Sequence, residues 1–281
     1  MLHTVFCIFI FLLALSVFFS FYTYSFFWYE NGPAIRSADN TGKRLVRLVP
    51  LGFLSAIFSV MTVIATFPFG FIGSLWRPRT LTPSQPVLIL IHGLYHNPSA
   101  FALLGRRLKK AGYQNVFVLS YRSLFTSFED VLEKCGEQIR RARAQDPGGK
   151  FILIGHSLGG LVSRVFAERA SGEDVPAAVI TLGTPHQGSK LAAFGIGRLA
   201  KSLMFRGPLF EELERVGRDL PCPGTAIMSP VDNLVMPKEG LEPPSPGWAT
   251  LETVPVSHVG MLYSGTTARQ VLSKIEEITV R

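Results

Sequence analysis

Two stretches without a charged side chain stand near the start of the chain, at 4–29 and 48–76. Each exceeds the roughly 20 apolar residues with which a helix crosses a bilayer. Aromatic residues close both, Phe27, Trp28 and Tyr29 in the first and Trp76 in the second, as suits side chains at headgroup level. The pattern predicts two transmembrane helices, the second kinked or partly re-entrant because Pro50, Gly52, Pro68 and Gly70 interrupt it. A secretory signal is the competing reading of 4–29. No Lys or Arg precedes that run, however, its length is about twice that of a usual signal core, and no small-x-small cleavage site follows closely. An uncleaved span is therefore expected.

Beyond a Pro- and Thr-rich linker at 77–86, short apolar runs alternate with longer amphipathic segments. The runs 87–91 (VLILI), 115–119 (NVFVL), 151–155 (FILIG), 177–182 (AAVITL) and 225–229 (TAIMS) read as strands buried on both faces. Helices are expected at 99–112, closed by Gly112; at 127–146, with acids first and bases last; at 157–170; and at 264–279, capped by Ser264. This alternation predicts one open, mainly parallel sheet with helices on both faces, an α/β domain at 80–281 behind a membrane anchor at 1–79. Reactive groups in such sheets collect where strands end, so the residues just after each run are the ones to search.

Net charge is +8. The loop at 30–47 holds Arg36, Lys43, Arg44 and Arg47 against Glu30 and Asp39, which leaves +6 on residues 77–281. Only Arg77 and Arg79 follow the second stretch closely, so the positive-inside tendency places the loop in the cytoplasm and the domain across the membrane. Lys and Arg are dispersed in that domain without aromatic interleaving or a recognition motif, which argues against nucleic acid as a partner. Anionic headgroups, or plain solvation, account for the charge more simply. Cys7, Cys135 and Cys222 form no metal-ligand spacing and no disulfide framework, although one Cys135–Cys222 pair stays open.

The third run leads into Gly155-His156-Ser157-Leu158-Gly159, a G-x-S-x-G pattern. Alone the pattern is weak; between a buried strand and an apolar helix it marks a sharp turn that holds a nucleophilic serine forward. A serine hydroxyl needs a base, and the base needs an orienting acid. The expected chain order is serine, acid, histidine, and of six histidines only His258 follows a well-placed acid. Asp232, just after the TAIMS run, is that acid; Asp219, ahead of the run, and Glu239, deep in a Pro-rich loop, are its rivals. Amides of Leu158 and of Leu94, after the first run and Gly93, would receive the oxyanion. His92 is read as fixing that loop through the backbone.

The segments IHGLYHN, GHSLGG, LGTPHQGS, SPVDNLVMP and SHVGML, in that order, make residues 85–281 resemble the lipase and esterase branch of the α/β-hydrolase superfamily. They look most like bacterial triacylglycerol lipases and related membrane-linked acyl hydrolases. The resemblance implies an α/β-hydrolase fold and a serine esterase, with Ser157, Asp232 and His258 as triad and Leu94 and Leu158 as oxyanion donors. No cofactor is implied, and His186 in LGTPHQGS resembles a structural position. Calcium-dependent members carry further aspartates around the histidine loop; PVSHVGMLYS has none, so no metal is expected. The partners implied are an acyl ester and the bilayer; no protein partner is named. The membrane expected with that resemblance is a bacterial inner membrane, and the charge tendency above puts the domain on its periplasmic side. Acyl transfer or thioester cleavage by the same residues, and a non-catalytic binding protein on this fold, are the rival readings.

Between LGTPHQGS and Asp232, apolar residues Leu191, Phe194, Leu199, Leu203, Phe205, Leu209, Phe210 and Leu213 recur at helical intervals. Residues 189–218 are therefore a candidate lid over an apolar pocket, with Lys201 and Arg206 toward headgroups, or else a pair of helices packed on the sheet.

Overall fold

The computed structural model describes residues 2–37, 40–146, 149–217, 219–244 and 247–280. Ala38, Asp39 and Arg218, which belong to the basic loop and the candidate lid, lie outside the described residues.

The chain opens with helix α1 (Leu2–Glu30), a short helix α2 (Gly32–Ser37) and helix α3 (Asn40–Thr66). α1 and α3 are long and apolar enough to cross a membrane. Their polarity is reversed from that of a water-soluble helix. α1 buries Ser16, Ser20 and Thr23 on one stripe and exposes Val5, Phe6, Phe9, Phe11, Phe18 and Phe21 elsewhere. α3 buries the small residues Gly52, Ala56 and Ser59, which lets helices approach closely. The second apolar stretch does not match its helix. α3 begins eight residues before Leu48, so most of the expected loop is helical, and it ends at Thr66. Residues Phe67–Phe71 and Gly73–Trp76 form 3₁₀ turns. Hydropathy marks where charges stop, whereas helix ends follow backbone chemistry: Pro68 and Gly70 break the ladder, while Lys43 and Arg44 do not.

Six parallel strands follow: β1 (Val87–Ile91), β2 (Val116–Val118), β3 (Phe151–His156), β4 (Ala178–Leu182), β5 (Gly224–Met228) and β6 (Trp248–Glu252). Their spatial order is β2-β1-β3-β4-β5-β6. Helices α4 (Ala102–Lys110), α5 (Phe128–Arg143), α6 (Leu158–Arg169), α7 (Arg198–Ser202), α8 (Pro208–Val216) and α9 (Gly265–Thr279) connect or follow them. Because side chains alternate across a strand, β1 feeds two cores. Val87, Ile89 and Ile91 pack with α5 and α6, and Leu88 and Leu90 with α4 and α9. Each fully buried Leu or Ile contributes on the order of 2 kcal/mol.

β6 is absent from the sequence expectation. It is an edge strand whose residues are all at least partly exposed, so Trp248–Glu252 never forms the continuous apolar run by which the others are recognised. A third core joins the helical pair to the sheet domain: Tyr24, Phe27 and Ala56 pack on Val231 and Met236 of the loop after β5.

Candidate active site

β3 turns into α6 through Ser157, whose backbone lies at φ 55° and ψ −125°. A non-glycine residue there is strained and is held only because its surroundings leave no alternative. Those surroundings are glycines. A Cβ at Gly155 would overlap the backbone of Gly159 and Gly160, and one at Gly159 would overlap the carbonyls of Ile91 and His92. Strand and helix thus close to backbone distance on either side of the serine.

After β5, Asp232 is 2% exposed. Its Oδ1 accepts the amides of Leu234 and Val235, both at 2.9 Å, and its Oδ2 accepts Nδ1–H of His258 at 2.7 Å. The loop after β6 delivers His258, which is 3% exposed. With the Nδ1 proton given to Asp232, the imidazole presents Nε2 as its basic atom. Gly183, at φ 54° after β4, makes room: a side chain there would press on Asp232, His258 and Met261.

Ser157 is half-buried, and among the described residues its hydroxyl has no hydrogen-bond partner. It is linked to the histidine loop through its neighbour. His156 donates Nε2–H to the carbonyl of His258 at 3.1 Å, and the two rings lie 4.7 Å apart. Gly93 sits against the Cβ of Ser157. Among the described residues neither the Leu94 nor the Leu158 amide donates a hydrogen bond, so both are free to receive an anion.

His92 and His186 behave as supports. His92 donates Nδ1–H to the Gly93 carbonyl at 2.9 Å and stacks on Tyr121 with centroids 4.2 Å apart. Burial pushes its pKa down to about 3. His186 is hydrogen-bonded through Nε2 to Thr181 at 3.1 Å, and burial holds it well below its ordinary pKa. The same cause keeps His156 neutral. Asp219 and Glu239 make no contact with His258. Cys135 and Cys222 are both free, their thiols pushed up to about 12 by burial.

In the candidate lid, Leu199, Leu203 and Phe210 lie in the core, so α7 and α8 pack onto the domain. Phe194 and Ile196 remain exposed, and Tyr95 ties this segment to the Leu94 loop by hydrogen bonds to the backbone of Ile196 at 2.5 and 2.7 Å.

Two residues in contact with His258 carry no sequence signal. Asn233 accepts the amide of His258 at 3.0 Å on its side-chain oxygen. His156 occupies the variable position of the G-x-S-x-G pattern, and only folding shows what it touches.

The sequence pattern of the Alpha/beta hydrolase family matches residues 88–274, and the chain belongs to that family. Among solved structures it is similar to Bacillus licheniformis lipase BlEst2 in mature form, with a TM-score of 0.57 at 18% identity over 70% of this chain and 95% of that one. It is also similar to Aspergillus fumigatus lipase B, with a TM-score of 0.59 at 15% identity over 71% of this chain and 55% of that one. A stretch of 42 residues is 50% identical to the GPI inositol-deacylase of Candida albicans; it covers 15% of this chain and 11% of that protein.

Proposed function

We propose that the chain is a membrane-anchored serine hydrolase that cleaves carboxylic esters of apolar acyl groups. The observation that carries this reading is the buried 2.7 Å contact between Asp232 and His258, set beside a serine held forward at positive φ. Ser157 attacks the ester carbonyl while His258 Nε2 takes its proton. Asp232 holds the ring and stabilises the imidazolium. The free amides of Leu94 and Leu158 receive the tetrahedral oxyanion. His258 then protonates the leaving alcohol, and water, activated in the same way, releases the acid.

Three things support an apolar acyl group. A cavity of about 1030 Å³ begins at Tyr95–Asn97, directly after Leu94; Phe67, Phe71, Trp76 and Phe125 wall it together with Arg77, Arg122 and Gln138, and Ser157 and His258 lie outside its lining. Two of the similar structures are lipases, and a short segment matches an enzyme named for deacylation. The exposed apolar faces of α1 and α3 fit a bilayer, which would present such esters to the domain. On the charge argument the domain lies across the membrane from the 30–47 loop, which for a bacterial inner membrane is the periplasmic face; protease access in intact and opened vesicles tests that placement.

A fluorophosphonate probe tests the chemistry. Labelling of the wild type that vanishes in Ser157→Ala is the expected result, and a folded wild type that never labels overturns the reading. In a series of nitrophenyl esters octanoate should turn over faster than acetate, and the reverse order would remove the apolar pocket.

A further inference from the structure

The helical pair formed by α1 and α3 does more than border the domain. Its side chains hold the residues on both sides of Asp232 and the residue before His258. Thr23, on the buried stripe of α1, is 1% exposed and donates its hydroxyl proton to the carbonyls of Phe19 and Ser20 at 3.1 and 3.2 Å. Its oxygen is thereby left as an acceptor, and Asn233 donates Nδ2–H to it at 2.7 Å. This fixes the Asn233 amide, whose Oδ1 must then face the His258 N–H at 3.0 Å. One residue further along α1, Tyr24 donates its hydroxyl to the carbonyl of Val231 at 2.9 Å. A Cβ at Gly52 of α3 would overlap that hydroxyl and the Val231 side chain.

α3 reaches the histidine loop directly. Ser55 Oγ accepts the amide of Ser257 at 3.1 Å, and the Ser257 hydroxyl lies 3.3 Å from Ser55 and 3.4 Å from Ser59. The same Ser257 hydroxyl accepts the amide of Gly260 at 3.1 Å, which closes the turn carrying His258. Gly260 is glycine because a Cβ would overlap Ser55. Ser59, Ser257, Asn233 and Val231 are each no more than 3% exposed. Removing α1 would leave the Asn233 amide and the Val231 carbonyl without these partners, and removing α3 would leave the Ser257 amide without its acceptor.

We infer that the helical pair is part of the catalytic machinery, with Thr23 acting through Asn233, and Ser55 acting through Ser257, as positioning residues for His258. The inference rests on the hydrolase reading given above. It makes the orientation of the base depend on how α1 and α3 seat against the domain, so an anchor and an active site share one set of hydrogen bonds. A displacement of about 1 Å at a reacting group costs on the order of 100-fold in rate, so small losses of this support are visible in turnover.

The test uses the purified full chain in phospholipid nanodiscs with nitrophenyl octanoate as substrate. Thr23→Val keeps the side-chain shape and removes the acceptor; it should lower kcat about 10- to 100-fold with KM little changed. Thr23→Ser restores the hydroxyl and should restore kcat. Ser25→Ala, whose exposed hydroxyl bonds only within α1, should match the wild type. An unchanged kcat in Thr23→Val, or an equal loss in Thr23→Ser, overturns the inference. Should Thr23→Val fail to fold, Ser55→Ala on the other helix decides it in the same way, a fall in kcat at constant KM supporting the inference and a wild-type value overturning it. A wild type that neither labels nor turns over overturns the hydrolase reading itself, whereas an active wild type with unaffected variants overturns only the positioning role.

Discussion

The proposed triad draws one side chain from each of three different loops, and each is held by a distinct device. Ser157 is held by backbone strain against glycine, Asp232 by two amides on the oxygen that does not face the histidine, and His258 by that carboxylate in front and by Asn233 and His156 behind. The division of labour on Asp232 matters. An amide in its place could still accept on one oxygen but would turn an NH₂ toward His258, forcing the ring into the tautomer that puts its proton on Nε2. Asp232→Asn should therefore fold normally by circular dichroism while kcat falls about 10³- to 10⁴-fold. Ser157, Asp232 and His258 could each be named from chain order and motif. Asn233 could not, because an asparagine beside an aspartate has no pattern of its own.

At the level of elements, the junction of β3 and α6 sets the position of the serine. Its closeness depends on Gly155, where any side chain meets the backbone of the first turn of α6. Gly155→Ala must push the helix away from the strand. It should cost about 1–3 kcal/mol in urea denaturation, the range for overpacked interiors, and slow fluorophosphonate labelling as Ser157 shifts. Five of the six strands and most of the domain's helices were legible because burial on both faces writes an uninterrupted apolar run, and amphipathic helices write their own period. β6, α2 and the start of α3 were not. β6 is at least partly exposed along its length and carries mixed side chains, and α2 and the first residues of α3 lie in a polar stretch whose Asn, Thr and Gly give no helix signal.

For the whole molecule, burial of neutral imidazoles makes stability depend on pH. His92, His156 and His186 are each held below their ordinary pKa of 6.5 by burial, His92 as far as about 3. Above pH 6.5 they are neutral whether the chain is folded or not, and contribute no pH dependence. As pH falls below 6.5 the unfolded chain takes up protons that the folded one refuses, so stability drops toward acid. Between pH 7.5 and 5.5 the loss should be about 1.4 kcal/mol for each of the three. Urea midpoints at pH 7.5 and 5.5, in the same detergent, check the sign; equal midpoints would mean that these rings protonate inside the fold. The two apolar helices enter at this scale too, since their buried stripe is hydroxylic and joins the loops of the site.

By itself the sequence determined five of the six strands, the class of sheet they form, and a candidate serine, acid and histidine in their order, because periodicity, turn chemistry and chain order are local or one-dimensional properties. Only the tertiary structure decided that Thr23 meets Asn233 and that Ser55 meets Ser257, beside the proposed acid and base. Those contacts join residues about two hundred positions apart, such as Thr23 with Asn233 at a separation of 210. A hydroxyl in an apolar helix looks the same in sequence whether it bonds its own backbone or a distant loop, and the fold alone chooses between them.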